Sequence, residues 1–309
     1  MPEFDIECLG KGAEHTIDDR DFRMGENIEF GARPIDWSTA VDQEETITVK
    51  DQGRSWSCVG QSQSSMLERN EHTMQRSARY VYCQIALPNQ QGAYMRDGMT
   101  IGARQTVSPE SDFLSYPANE DLLTNRFGLP LKYRTKPLMY ALVPCNVEAI
   151  ASAIRDHGSV MIGVRGSNAG WHQADVAFTG NDWGHAVMGI RAVMRNGKKT
   201  IKFLNSWSKA WGSKGFGYFD ETYLTRGGMA AYIFTTQEVV KPVPYELKNK
   251  KIAEASPIAK ANSNFVNACY RERYSRDATK TELALFVGRM VKDAANLILG
   301  AWRSPFFGN

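Results

Sequence analysis

The pattern of apolar and polar positions divides the chain into a helical part and a strand-rich part. A glycine turn at Gly53 leads into residues 58–75, where apolar residues at helical spacing predict a helix. A second helical stretch is predicted near residues 77–87. The polar residues 1–33 are expected to form an extended lead-in segment.

From about residue 159 the pattern changes to short apolar runs separated by glycine and asparagine turns. These runs, rich in valine and isoleucine as strands prefer, are SVMIGVRG, HAVMGIRAVM and KTIKFLNSW. Aromatic residues recur at Phe216, Tyr218 and Phe219. Helices followed by strands, rather than strictly alternating with them, indicate an α+β fold.

The end of the chain has a different composition. Residues 238–262 contain three prolines and a lysine cluster and are expected to form a linker. Residues 263–309 turn helical again, with Thr279 and Glu282 placed as a capping box. Two helices alone bury little apolar surface, so this helical extension is expected to dock on the preceding domain, on a protein partner or on a second copy of the chain.

Composition indicates an ordinary globular protein, with 42% hydrophobic and 23% charged residues among 309. The formal charge of +3 is too small to predict a nucleic-acid or membrane partner. No stretch approaches the roughly 18 apolar residues of a membrane span. The N-terminus lacks a basic start followed by an apolar core, so we expect a cytoplasmic or virion-associated protein rather than one secreted through a signal peptide.

The cysteines form no CxxC pair and are odd in number, which favours neither a disulfide framework nor a zinc site. We predict no metal or cofactor. Most of the thiols are expected to be small buried side chains, and Cys58 is singled out by its neighbours. The five are Cys8, Cys58, Cys83, Cys145 and Cys269.

Three segments together carry the residue types that thiol catalysis needs. They are KDQGRSWSC at 50–58, GHAV at 184–187 and NSWSKAWGSKGFGY at 205–218. A thiol becomes a good nucleophile as its thiolate, and a helix N-terminus or a neighbouring imidazolium lowers its pKa. Cys58 stands at the predicted start of a helix, and His185 stands at the start of a strand between small residues.

Two amide side chains complete the constellation. Asn205 can hold the imidazole in a useful orientation. The side-chain amide of Gln52 and the backbone N–H of Cys58 can donate to a developing oxyanion. His185 lies 185 − 58 = 127 residues after Cys58, and Asn205 lies 205 − 58 = 147 after it. The spacing known for papain-like enzymes is roughly 130–150.

These motifs, in this order, resemble those of the papain family of cysteine peptidases. RPIDWSTAV resembles the start of a mature papain-like domain, and SARYVYCQIA and GAYMRDGM resemble helical segments of bacterial members. The resemblance covers about residues 34–236 and implies a peptidase domain over residues 34–237. It implies a two-lobed α+β fold, with a helical lobe and an antiparallel, barrel-like strand lobe.

The resemblance implies a role for each matching catalytic residue. Cys58 would be the nucleophile, and His185 the general base and later the acid. Asn205 would orient His185, and Gln52 would donate to the oxyanion.

Three more residues are assigned to the substrate cleft. The backbone of Gly92 would pair with an extended substrate, and Trp207 would shield the bond between the histidine and the asparagine. Trp56 replaces the family's small residue and would narrow the pocket for the residue before the cut.

Other departures concern packing around the nucleophile. Ser55 stands where the family has a disulfide-bonded cysteine, and Val59 stands where a large aromatic residue is usual. The remaining tryptophans near the motifs are expected to pack inside the domain rather than contact substrate. These are Trp171, Trp183 and Trp211.

Three functional hypotheses follow. The first is a thiol endopeptidase that hydrolyses peptide or protein substrates through a Cys-His-Asn triad and an acyl-enzyme. The second, motivated by Trp56 and the helical extension, is a structural or assembly protein on a papain-like scaffold with little turnover, for example in a virus particle. The third keeps the triad but cleaves cell-wall peptides or transfers acyl groups, because the reaction depends on what fits the cleft.

Overall fold

The computed structural model describes residues 9–16, 23–24, 35–72, 74–88 and 91–235. The predicted linker and helical extension lie outside these residues, as does most of the lead-in segment. Within the described part no helix is long and apolar enough to cross a membrane.

The helical lobe follows the lead-in segment. It contains α1 (Cys58–Glu71), α2 (Ala78–Ile85), α3 (Met95–Arg104) and α4 (Glu120–Thr124). A short parallel pair, β1 (Ala13–Glu14) and β2 (Ala93–Tyr94), joins the lead-in segment to this lobe.

Helix α1 starts where predicted and ends four residues earlier than predicted. His72 adopts the left-handed conformation, φ 50°, which stops the helix after Glu71. Polar residues such as Gln61 and Gln63 are buried along α1, so the buried side of this helix is not purely apolar. Ser77 caps α2 by accepting a hydrogen bond from the backbone N–H of Tyr80 at 3.0 Å.

The strand lobe is a six-stranded sheet in the described residues, with the order β3-β8-β4-β5-β6-β7 and antiparallel neighbours. Its strands are β3 (Met139–Val143), β4 (Val160–Gly166), β5 (Trp183–Arg195), β6 (Lys198–Leu204), β7 (Phe216–Asp220) and β8 (Gly228–Thr235). The three valine- and isoleucine-rich runs are thereby confirmed as strands β4 to β6. Helices α5 (Val147–His157) and α6 (Glu221–Gly227), which were not predicted, flank the sheet, so the fold is α+β.

An aromatic cluster around the fully buried Trp171 fixes the start of β5. Its ring lies 5.3 to 5.7 Å from the ring centroids of Trp183, His185, Trp207 and Trp211. Each aromatic pair contributes about 0.5–1.5 kcal/mol beyond simple burial. The cluster therefore holds His185 in a rigid wall of the strand lobe.

Candidate active site

Cys58 is the first residue of α1 and is fully buried. The turn before it is made possible by Gly53, which has φ +53°. The backbone N–H groups of Ala186, Val59 and Cys58 itself lie near the sulfur and favour the thiolate. Burial outweighs them and raises the pKa of Cys58 to about 12. The nearby Ala186 places the thiol beside the residue that follows His185.

His185 is the third residue of β5 and pairs with Val164 of β4. Its Nε2 lies 2.8 Å from Oδ1 of Asn205, and the same oxygen accepts the backbone N–H of Ser206 at 2.8 Å. Because an amide oxygen only accepts, the proton of a neutral His185 sits on Nε2. Nδ1 is then unprotonated, and within the described residues it is buried with no hydrogen-bond partner.

The imidazole of His185 is enclosed by aromatic rings. Trp207, itself fully buried, stacks on it with centroids 4.6 Å apart and an interplanar angle of 28°. Burial lowers the pKa of His185 to about 3, against the opposing effect of the hydrogen bond that His185 donates to Asn205, and the charge of Lys11 lowers it further. In this form both the thiol and the imidazole are neutral.

Gln52 is also buried, and its side-chain N–H groups are engaged. Nε2 donates to the carbonyl oxygen of Gly10 at 2.8 Å and to that of Ser55 at 2.9 Å. Trp207 Nε1 donates to the same Gly10 oxygen at 3.2 Å. Oε1 accepts the hydroxyl of Ser206 at 2.5 Å, which fixes the amide orientation. The side-chain amide of Gln52, which was assigned as a donor to the oxyanion, therefore donates to the backbone carbonyl of Gly10 in this structure.

Residues 9–16, here called the covering segment, lie across this site. Gly12 donates its N–H to the carbonyl of Gly184 at 2.8 Å, and its carbonyl accepts the N–H of Ala93 at 2.9 Å. Gly10 donates its N–H to the carbonyl of Gly53 at 3.1 Å. The described part of the lead-in segment thus closes the cleft over Cys58.

Sequence reasoning missed the covering segment, because its two glycines can be interpreted only once their neighbours in the fold are known. A Cβ on Gly10 would lie 1.5 Å from the carbonyl oxygen of Ser55. Gly12 has φ +108°, and a Cβ there would lie 2.7 Å from Cα of Gly92. Only glycine fits at either position, because the segment runs against backbone on both sides.

The residues predicted to line the substrate cleft lie against this segment. Gly92 has φ +103°, and a Cβ on it would overlap the carbonyl oxygen of Gly12 at 1.9 Å. The half-buried ring of Trp56 approaches from another side, with Cε3 3.1 Å from a Cβ on Gly12. The pairing with the segment itself runs through the neighbouring Ala93 and Tyr94. Trp56, Gly92 and Trp207 therefore surround the same stretch of extended chain.

The other described thiols lie away from these contacts. Cys83 is buried in α2 and Cys145 is half-buried after β3, both as free thiols. Cys8 and Cys269 fall outside the described residues. Ser55, in place of a disulfide cysteine, is buried and donates its hydroxyl to the carbonyl of Gln52 at 2.7 Å. The described residues contain no group of histidine, cysteine and carboxylate side chains arranged to hold a metal ion.

In the covered chain His185 is expected to stay neutral between about pH 5 and pH 8, where an ordinary histidine gains its charge. Burial holds its pKa at about 3, so protonation would begin only at more acid pH. The unfolded chain takes up this proton near pH 6.5, so the covered form loses stability as the pH falls below that value. NMR of the ring nitrogens measures the titration midpoint of His185, and the His185→Gln variant assigns the signal. A midpoint between pH 5 and pH 8 would contradict the prediction.

Several solved structures share this fold. Xylellain, a cysteine protease from Xylella fastidiosa, matches with a TM-score of 0.61 and 17% identity, over 75% of this chain and 97% of its own. Digestive procathepsin L2 proteinase from Tenebrio molitor larval midgut matches with a TM-score of 0.55 and 17% identity, over 76% and 80%. Procathepsin L 3 from the same source gives 0.51 and 18%, over 74% and 76%. These likenesses show a papain-like, two-lobed α+β fold.

Among curated proteins no relative matches this chain significantly. The sequence does, however, match a family model. The model described as papain family cysteine protease matches residues 32–236, close to the span that carries the motif resemblance. That span contains Cys58, His185 and Asn205, and it makes up more than half of the chain. The chain therefore belongs to the papain family of cysteine proteases.

Proposed function

We propose that this thiol peptidase is an endopeptidase that works through Cys58, His185 and Asn205. The observation that carries the proposal is the 2.8 Å contact between His185 Nε2 and Asn205 Oδ1 under the stacked ring of Trp207. This contact keeps the proton on Nε2 and leaves the lone pair of Nδ1 available to the thiol. An imidazole held in this way is the base that a cysteine nucleophile requires.

The first half of the reaction forms an acyl-enzyme. His185 Nδ1 takes the thiol proton, and the sulfur of Cys58 attacks the peptide carbonyl carbon. The carbonyl oxygen becomes an oxyanion, to which Gln52 Nε2 and the backbone N–H of Cys58 donate. As the C–N bond breaks, His185 returns the proton to the leaving amine, and a thioester remains.

The second half releases the acyl group. His185 removes a proton from water, the hydroxide attacks the thioester carbon, and the sulfur leaves and regains its proton. Asn205 keeps the ring in one orientation through both halves. Trp207 excludes water from the bond between His185 and Asn205.

The course of the covering segment supports endopeptidase action. Gly10 reaches the amide of Gln52, and Glu14 pairs with Tyr94 further along the cleft. The segment thus enters and leaves the cleft as a continuous extended chain. A cleft that admits a chain in this way can bind a peptide on both sides of the thiol.

The test uses the full-length Gly12→Val chain, in which valine cannot fit against the backbone of Gly92. Hydrolysis of internally quenched peptides is expected, together with stoichiometric labelling by a thiol-directed peptide electrophile that maps to Cys58. Purified cell wall serves as a second substrate, and its preferential cleavage would favour a cell-wall hydrolase. A folded variant that neither hydrolyses peptides nor takes up the label would favour a structural role on this scaffold.

A further inference from the structure

One side chain of the covering segment is held by contacts of its own. Lys11 has only 6% of its surface exposed, which is low for a lysine. Its Nζ donates to Asn168 Oδ1 at 2.9 Å and lies 5.3 Å from the ring centroid of Trp183. A desolvated ammonium over an indole face is stabilised by the ring's negative face. The contacts are therefore suited to a cation.

The acceptor at this place has a fixed orientation. Trp183 Nε1 also donates to Asn168 Oδ1, at 2.9 Å. An indole N–H only donates, so the amide of Asn168 must turn its oxygen toward Trp183 and hence toward Lys11. Asn168 and Trp183 therefore present a hydrogen-bond acceptor and an aromatic face to the ammonium of Lys11. The amide N–H groups of Asn168 point away from it.

These two residues are positioned by contacts other than those with Lys11. Asn168 begins a short 3-10 helix, Asn168–Gly170, and its carbonyl accepts the N–H of Trp171 at 3.0 Å. Trp183 packs edge-on against the fully buried Trp171, with centroids 5.3 Å apart. The place is thus built into the strand lobe by contacts that do not involve the covering segment.

The position of Lys11 in the cleft shows that Asn168 and Trp183 lie close to the catalytic residues. Its neighbour Gly10 reaches the amide of Gln52, and its other neighbour Gly12 reaches the carbonyl of Gly184, which precedes His185. The ring of Trp183 lies 6.3 Å from that of His185. A side chain bound here belongs to a residue that lies at the catalytic centre.

We propose that Asn168 and Trp183 form a cation subsite, which takes a lysine or arginine side chain of the peptide next to the scissile bond. Lys11 fills the subsite while the covering segment is in place, and a substrate residue fills it afterwards. The substrate part of this proposal rests on the proposed peptidase function. The binding part does not, because it concerns recognition of a side chain alone.

The binding test uses the full-length Gly12→Val chain and a fluorescent peptide with the sequence of residues 9–16. Fluorescence anisotropy compares this peptide with one that carries norleucine in place of its lysine, which keeps the apolar stem and removes the ammonium. We expect the lysine peptide to bind about tenfold more tightly. Asn168→Leu should reduce that difference, because only the ring of Trp183 then faces the ammonium, and Asn168→Asp should widen it. The exposed Asn181→Leu serves as the matched control and should leave the difference unchanged.

Hydrolysis of a peptide library by the same variants separates this proposal from the proposed function. Enrichment of lysine or arginine at one position beside the cut, weakened in Asn168→Leu, supports the subsite in catalysis. Tighter binding of the lysine peptide without any hydrolysis would keep the subsite and overturn the peptidase function. Equal binding of the two peptides, or binding of neither, would overturn the subsite even if hydrolysis were observed.

Discussion

Replacing Cys58 by alanine is expected to lower kcat/KM for peptide hydrolysis by at least about 10⁴-fold, because removal of a nucleophile leaves only binding and oxyanion stabilisation. The comparison is made in the Gly12→Val background, in which the covering segment cannot occupy the cleft. The loss should appear in kcat, since Cys58 is buried at the base of the cleft and contributes little to ground-state binding. Initial rates with an internally quenched peptide give both constants.

Cys83→Ala is the matched control for this loss. Cys83 is also a buried helical cysteine, but it lies in α2 and its sulfur approaches the carbonyl of Tyr80 rather than the cleft. Its variant should retain peptide hydrolysis within a few-fold. If Cys58→Ala kept full activity while Cys83→Ala lost it, the nucleophile would have been assigned to the wrong thiol.

The residues around the thiol could be predicted from the sequence because each lies in a short motif. Cys58 follows a glycine turn at the start of a helix, and His185 lies at the start of an apolar strand. In the structure the backbone N–H of Ala186, which follows His185, lies near the sulfur of Cys58, and Asn205 contacts His185. The end of α1 was placed too late, because the left-handed conformation of His72 leaves no pattern in the spacing of apolar residues.

The covering segment could not be predicted because its contacts are far apart in sequence. Gly12 bonds to Gly184 and Lys11 to Asn168, and neither pair forms a local pattern. Trp183 was expected to pack inside the domain, which its contact with Trp171 supports. Its other contact, with Lys11, depends on a segment whose polar composition is typical of an exposed lead-in. Gly10 is an example of a residue that marks the covering segment, but its need for glycine becomes evident only once the fold shows the backbone of Ser55 beside it.

Displacing the covering segment is expected to raise the rate of alkylation of Cys58 at pH 7 by about 10³-fold. In the covered chain burial holds the pKa of Cys58 at about 12, so about one thiol in 10⁵ is ionised at that pH. An ordinary cysteine with a pKa near 8.5 has about 3% thiolate, and an adjacent imidazolium increases that fraction further. The thiolate is the species that reacts, and its larger fraction, together with access of the reagent to the opened cleft, outweighs the lower nucleophilicity of a thiolate of lower pKa.

Gly12→Val produces this displacement within the full chain. Valine is disfavoured at φ +108°, and its Cβ would lie 2.7 Å from Cα of Gly92, which is backbone and cannot move aside as a flexible side chain can. Thr16→Ala, an exposed position of the same segment, is the control and should react at the wild-type rate. Iodoacetamide labelling followed by mass spectrometry measures the rate at Cys58, and circular dichroism checks the fold. A wild-type rate in folded Gly12→Val would mean that the neutral state of the thiol is set by the two lobes themselves, and that Lys11 and its neighbours only fill a cleft that is already inactive.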